Sequence, residues 1–93
     1  MYGIILSRRY KISYKRLRRH KDFSQERLDR VITTLKDDTP LPAIYYDHAL
    51  QGLFEGYREC HIQNDVLLLY QKDKEKLILI LVEIGTHSSL FKK

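Results

Sequence analysis

The second half of the chain holds three strand-like apolar segments in close succession, and they constrain the fold more than any other feature of the sequence. These segments are residues 57–62, 66–71 and 76–84. Polar triplets typical of turns, residues 63–65 and 73–75, separate them. Residues 77–82 are apolar on both faces of a strand, which predicts a central strand. The segments therefore predict a small, antiparallel-rich sheet.

A short strand and a basic helix are predicted at the N-terminus. Residues 3–6 are suited to a first strand. In residues 7–20 the apolar side chains Tyr10, Tyr14 and Leu17 are spaced four and three residues apart, so they share one helical face.

A second helix is predicted after Ser24, which is a natural N-cap. Phe23 and Leu28 lie on either side of this cap with the spacing of a hydrophobic staple. Helical spacing then continues through Leu28, Val31, Ile32 and Leu35. Pro40 and Pro42 end the helical region.

The resulting order β-α-α-β-β-β predicts one α+β domain over residues 1–93, with the helical hairpin packed on one face of the sheet. No apolar run reaches membrane-spanning length, and we expect no signal peptide. The single cysteine, Cys60, excludes an internal disulfide and favours a reducing cytoplasm.

Positive charge is concentrated at the N-terminus. The net charge is +5, and residues 1–21 contain eight basic and no acidic side chains. These residues are Arg8, Arg9, Lys11, Lys15, Arg16, Arg18, Arg19 and Lys21. Such a footprint suits nucleic acid or an acidic protein partner, although a solvated helix face is the alternative interpretation.

Three histidines lie where proton-transfer chemistry is often found. His48, His61 and His87 stand in predicted loops or strand ends, and histidine exchanges protons near neutral pH. Strand alternation puts His61 on the same face as Glu59 and opposite Cys60. The three histidines come from three separate elements and could converge at one edge of the sheet, although each taken alone is more simply a surface or capping residue.

A metal site is an alternative interpretation of the same residues, because three histidines and Asp65 make a plausible zinc set. We favour a site without metal or other cofactor, since no two histidines have helical i, i+4 spacing and Cys60 has no second cysteine beside it. Asp65 alone is more simply a turn former. Glycine-rich phosphate loops and a Gly-x-Ser-x-Gly elbow are absent, which excludes the common kinase and serine-hydrolase patterns.

Longer strings make the chain similar to a known family. Residues 57–62 read Tyr-Arg-Glu-Cys-His-Ile, residues 85–91 read Gly-Thr-His-Ser-Ser-Leu-Phe, and His48 follows Tyr46-Asp47. With these strings the chain resembles, over almost its whole length, the YafQ branch of the RelE/ParE superfamily, which are toxins of bacterial toxin–antitoxin pairs. The resemblance implies a small sheet with two helices on one face.

The resemblance also implies a function and a set of partners. It implies a ribosome-dependent endoribonuclease that cuts mRNA, inhibits translation and is silenced by its cognate antitoxin. The expected partners are the 70S ribosome, mRNA and an acidic antitoxin segment that wraps the toxin, with operator DNA reached only through the antitoxin and no membrane. The expected location is the cytoplasm. A non-catalytic or gyrase-directed toxin of the same superfamily is the alternative, and it needs no histidine set.

The family's active-site positions match this sequence in residue type. They carry over to His48, His61, Asp65, His87 and Phe91. We expect the RNA 2′-hydroxyl to be the nucleophile, His48 or His61 the base and His87 the acid, without a metal. Asp65 is expected to set a histidine tautomer, and Phe91 to stack on a base.

Phosphate contacts are expected from basic residues. These are Arg58, Arg8, Arg9, Lys15, Arg16, Arg18 and Arg19. The chain departs from the family at Val66, where many relatives carry an aromatic residue, at Ser89, where an acid is common, and at Glu83, where many carry an arginine. Glu83 matters most, because an arginine there could clamp the scissile phosphate. We expect Arg58 or the basic helix to substitute for it, or activity to be weaker than in the family.

Overall fold

The structure, a computed structural model, describes residues 1–91, except for the side chain of Phe91. Its five-stranded sheet has the order β1-β5-β4-β3-β2. The strands are β1 (Gly3–Leu6), β2 (His48–Ala49), β3 (Arg58–Gln63), β4 (Val66–Asp73) and β5 (Ile78–Gly85). β1 pairs with β5 in parallel, and the other strand pairs are antiparallel.

Two long helices cover one face of this sheet. They are α1 (Arg8–Leu17) and α2 (Gln25–Lys36), and a short α3 (His87–Phe91) follows β5. α1 packs on β5 and α2 on β3. Two single turns of 3₁₀ helix, Ala43–Tyr45 and Gly52–Phe54, lie on either side of β2. No helix in the described part of the chain is long and apolar enough to cross a membrane.

The core lies between the helices and the sheet. Fully buried side chains of α2 meet alternate residues of β3, and the central strands contribute the rest. The largest contributors are Leu28, Val31, Leu35, Cys60, Ile62, Leu68, Tyr70, Leu79, Leu81 and Ile84. In β4, Leu67 and Leu69 are buried on the opposite face as well. Strand β4 is therefore covered on both sides.

The predicted α+β fold is confirmed, as are the first strand, both long helices and the three successive strands. The Ser24 cap is confirmed too, because its hydroxyl accepts a hydrogen bond from the Arg27 amide at 3.2 Å. Leu77 does not belong to the central strand, since it lies in the preceding turn with a φ of 55° and is half exposed. β2 and α3 are missing from the predicted order. With two and five residues, they are too short to show a periodic pattern.

Ser7 joins the start of α1 to the middle of β5. Its hydroxyl accepts a hydrogen bond from the Tyr10 amide at 3.0 Å and donates one to the Val82 carbonyl at 2.6 Å. Among the described residues, the Ser24 side chain makes only the capping bond. The Ser7 hydroxyl thus joins the first turn of α1 to β5, in addition to the pairing of β1 with β5.

We expect Ser7→Ala to lower the free energy of unfolding by about 1–2 kcal/mol, because the variant loses both the cap and the bond to β5. Ser24→Ala is the matched control, since it loses a cap alone. Urea denaturation measures both. A loss for Ser7→Ala no larger than that for Ser24→Ala would contradict the role given to the hydroxyl.

Candidate active site

The face of the sheet that the two long helices leave uncovered, which we call the open face, carries the candidate site. Because Cys60 and Ile62 point toward the helices, Glu59 and His61 point to the open face. Strand register extends this face in two rows. One row runs His48, Glu59, Leu69 and Glu83, and the other runs His61, Leu67 and Gly85.

A bulge in β5 determines where Glu83 lies. Leu69 pairs with Glu83 while the next residue, Tyr70, pairs with Leu81, so Val82 is the extra residue. Simple alternation from Leu81 would have turned Glu83 toward the helices. The bulge instead puts this carboxylate in the row that contains His48 and Glu59.

His48 is held at both ring nitrogens. Its Nδ1 lies 2.8 Å from the Tyr46 carbonyl oxygen, and its Nε2 lies 3.0 Å from Glu59 Oε1. A carbonyl oxygen can only accept, so Nδ1 carries a proton. Glu59 is only 4 % exposed, and its Oε2 has no hydrogen-bond partner among the described residues. The pair thus leaves one buried carboxylate oxygen able to accept a hydrogen bond.

Tyr46 brings two of the predicted histidines together. The centre of its ring lies 4.9 Å from that of His48 and 5.2 Å from that of His61. Within residues 1–91 the His61 ring makes no hydrogen bond that would engage its nitrogens. Tyr46 was not predicted as a site residue, because nothing in a loop sequence shows which ring will lie between two histidines.

His87 and Asp65 meet at the end of the sheet where β3 and β5 finish. Asp65 lies in the turn after β3 with a φ of 53°, and its Oδ1 accepts a hydrogen bond from the His87 backbone amide at 3.3 Å. His87 itself is exposed. Asp65 therefore fixes the start of α3, and with it the direction in which His87 leaves the sheet. Its expected role in setting a histidine tautomer stays a prediction.

Arg58 lies on the helix side of β3, opposite the histidines. Its Nη2 is 3.2 Å from Asp47 Oδ2, and the Tyr70 hydroxyl donates to Asp47 Oδ1 at 2.5 Å. Burial raises the pKa of Tyr70 well above its usual value, and the bond to Asp47 raises it further. These contacts anchor the segment that carries Tyr46 and His48. Arg58 is thus engaged away from the open face.

Arg9 borders the open face instead. Its Nη2 lies 3.6 Å from Glu83 Oε1, with the Arg9 side chain 73 % exposed and that of Glu83 16 % exposed. Both residues line a groove of about 230 Å³ with Leu53, Tyr57, Leu69 and Leu90. Of the two sources expected to replace the family's arginine, the basic helix is the one that reaches Glu83.

The other basic residues of the N-terminal segment surround the site more loosely. Arg8, Lys15, Arg18 and Arg19 are exposed. Arg16 and His20 line a second groove with Gly85 and Thr86, where α3 begins. His20, which is exposed, also lines a groove with Asp65.

The sequence also led to predictions for Phe91, Val66, Ser89 and a zinc set. The side chain of Phe91 lies outside the described residues, so its stacking role stays a prediction. Val66 is buried in the core, and the Ser89 hydroxyl bonds the Thr86 carbonyl at 3.0 Å. Among residues 1–91 no three His, Cys, Asp or Glu side chains are placed to hold a metal ion, so the alternative zinc set is not assembled.

Solved structures with this fold define the class of protein. A metal-bound toxin from Helicobacter pylori matches with a TM-score of 0.89 and 37 % identity, covering 98 % of this chain and 100 % of that one. The YafQ of an Escherichia coli DinJ–YafQ complex matches with a TM-score of 0.82 and 34 % identity, covering 98 % and 99 % of the two chains. The protein therefore has the fold of small bacterial toxins.

Comparison with known sequence families shows which group of these toxins the chain belongs to. Residues 2–92 match the family model for YafQ, described as the bacterial toxin of a type II toxin–antitoxin system. The mRNA interferase toxin YafQ of Escherichia coli K12 is 45 % identical over 75 residues, which is 80 % of this chain and 77 % of that protein. The chain belongs to the YafQ family of type II toxins.

Cys60 lies next to the site but is unsuited to chemistry. It is fully buried, and burial raises the pKa of its thiol far above the usual value. We therefore expect a disulfide reagent such as Ellman's reagent to leave the native protein unmodified and to label one thiol per chain after unfolding in guanidinium. Labelling of native protein at the rate of a free cysteine would contradict this burial.

Proposed function

We propose that the protein is the mRNA-cleaving toxin of a type II toxin–antitoxin pair. It acts as an endoribonuclease on mRNA in the 70S ribosome, and its cognate antitoxin neutralises it. The relative from E. coli, named an mRNA interferase toxin, supports the substrate, and the DinJ–YafQ complex supports the kind of partner. The proposed substrate implies a cytoplasmic protein. The observation that carries the proposal is the pair of histidine rings that contact Tyr46 on the open face.

RNA brings its own nucleophile to such a site. The 2′-oxygen forms a bond to the neighbouring phosphorus, the bond from phosphorus to the 5′-oxygen breaks, and a 2′,3′-cyclic phosphate and a 5′-hydroxyl result. A base must take the proton of the 2′-hydroxyl, and an acid must protonate the departing 5′-oxygen. Both tasks suit histidine near neutral pH.

His61 is the better placed base. Its ring nitrogens are not engaged by other described side chains, whereas both nitrogens of His48 face acceptors. His48 and the buried Glu59 act as a fixed pair beside it. His87, held in place through Asp65, is the acid.

Arg9 is the cation that stabilises charge on the phosphorane-like transition state. Glu83 orients its guanidinium at the border of the open face, and the exposed side chain keeps its remaining N–H groups free for phosphate oxygens. An arginine held by a carboxylate costs less reorganisation on binding than a freely rotating one. Arg9 thus takes the task that an arginine at position 83 would have.

The basic N-terminal segment is a surface of the toxin that ribosomal RNA and the antitoxin would both bind. All eight Lys and Arg residues in residues 1–21 are exposed. Ribosomal RNA and an acidic antitoxin segment that wraps the toxin are both polyanions suited to it. Occupation of this surface by the antitoxin would exclude the ribosome, and operator DNA is contacted only through the antitoxin.

His87→Ala is expected to slow mRNA cleavage on translating ribosomes by about 10²–10⁴-fold while the unfolding midpoint stays near that of the wild type, because the ring is exposed and serves as the acid. Cleavage is mapped by primer extension, with EDTA added below the concentration of the Mg²⁺ that keeps the 70S ribosome intact. Ser88→Ala, a truncation at the next residue of α3, should cleave normally.

Three results would contradict this mechanism. Cleavage by folded His87→Ala at the wild-type rate would remove His87 from the mechanism. If wild-type protein arrests growth but leaves mRNA intact on ribosomes, the protein is instead a non-catalytic or gyrase-directed toxin. Loss of cleavage in EDTA with recovery on adding zinc would favour the metal interpretation.

Arg9→Gln is expected to lower the cleavage rate at saturating ribosomes by about 10²-fold, because one cationic donor to the transition state is lost. Glu83→Arg in the Arg9→Gln background should recover part of this loss, since it moves the cation to the other partner of the pair. Single-turnover kinetics measures both.

Arg30→Gln is the matched control, because Arg30 also pairs with a glutamate, Glu26 at 3.4 Å, but lies on α2 away from the open face. It should cleave at the wild-type rate. An unchanged rate for Arg9→Gln, or no recovery on adding Glu83→Arg, would contradict the role given to Arg9.

A further inference from the structure

We infer that Tyr46 is the stacking platform for one base of the mRNA, namely the base of the nucleotide whose 2′-hydroxyl attacks. This inference rests on the proposed function and adds a substrate-binding residue to it. Tyr46 would contact the substrate directly, and its ring would set where the attacking ribose lies relative to His61.

The position of the Tyr46 ring supports this role. It lies between the rings of His48 and His61, edge-on to His61 with an angle of 89° between the planes. Despite these two neighbours the residue is 64 % exposed, so much of its surface is open to solvent. A nucleobase stacked there would extend a row of aromatic rings that already includes the proposed base.

The backbone of Tyr46 also has an unusual conformation. Its φ of 50° and ψ of 47° lie in the left-handed region, which bulky residues seldom adopt. Two contacts hold the segment there: the Tyr46 carbonyl accepts from His48 Nδ1, and the neighbouring Asp47 is bound by Arg58 and Tyr70. The fold thus fixes a large aromatic side chain in an exposed and unfavourable conformation, which is common at binding sites.

Single-stranded RNA is the ligand that suits such a surface. Sequence-tolerant RNA recognition relies on exposed aromatic faces, because every base has a π-face to stack. The ring of His61, next to that of Tyr46, is available for the proton of the 2′-hydroxyl. A base on Tyr46 therefore leaves its own ribose next to the groups that act on it.

A purely structural role for Tyr46 makes a different prediction. If the ring only spaced the two histidines, its loss would lower kcat and change the pH profile of cleavage. If the ring binds the substrate equally in the ground and transition states, its loss raises KM and leaves kcat nearly unchanged.

The test uses full-length toxin and ribosomes programmed with mRNA that carries 2-aminopurine deoxyriboside at the nucleotide 5′ to the cleaved bond. This nucleotide provides a fluorescent base and lacks the attacking 2′-hydroxyl, so the complex persists. Wild-type toxin should quench the fluorescence through stacking, and Tyr46→Phe should quench it equally. Tyr46→Ala and Tyr46→Leu should not quench it, and with all-ribose mRNA they should raise KM by about 5- to 150-fold.

Ile44→Ala is the control for a surface change in the same segment, because Ile44 is 72 % exposed and lies two residues away from Tyr46. It should behave as the wild type in both measurements. Full quenching and an unchanged KM with folded Tyr46→Ala would overturn the inference while the nuclease function stands. Lower kcat with an unchanged KM would assign Tyr46 a structural role instead. Failure of the wild type to cleave all-ribose mRNA would overturn both.

Discussion

The burial of Cys60 and Ile62 beneath the helices is the constraint on which the rest of this structure depends. These two side chains fix the register of β3, since a slip of one residue would move His61 into the core and Cys60 to the surface. With that register set, Glu59 of β3 pairs with His48 of β2, and His61 lies on the same face. The chemistry of the open face thus follows from the packing of the opposite face.

Sequence patterns predicted those parts of the site that follow regular alternation. The face shared by Glu59 and His61 is one of them, and the two long helices, with the Ser24 cap of the second, are others. The position of Glu83 could not be predicted, because the bulge at Val82 arises from pairing between distant strands. Tyr46 was missed for a related reason, since its place between two histidines depends on how an irregular segment meets β3.

Acidic side chains on a surface that binds RNA would repel its phosphates unless each has a cationic partner. Two carboxylates, Glu59 and Glu83, lie in one row across the open face, and each has a partner able to carry positive charge. His48 lies beside Glu59 and Arg9 beside Glu83. In this arrangement the acids orient groups that can meet a phosphate, rather than repelling it. The exposed basic segment at the N-terminus then adds attraction at longer range.

The chemical nature of the RNA ends is the most direct test of the central claim, that histidines on the open face cleave mRNA through its 2′-hydroxyl. Purified wild-type toxin is incubated with programmed ribosomes, with EDTA kept below the Mg²⁺ concentration, and the products are analysed by mass spectrometry. The account predicts a 5′-hydroxyl on one fragment and a 2′,3′-cyclic phosphate, or the 3′-phosphate that forms from it, on the other. A 5′-phosphate with a free 3′-hydroxyl would show that water attacked the phosphorus, and it would contradict the account.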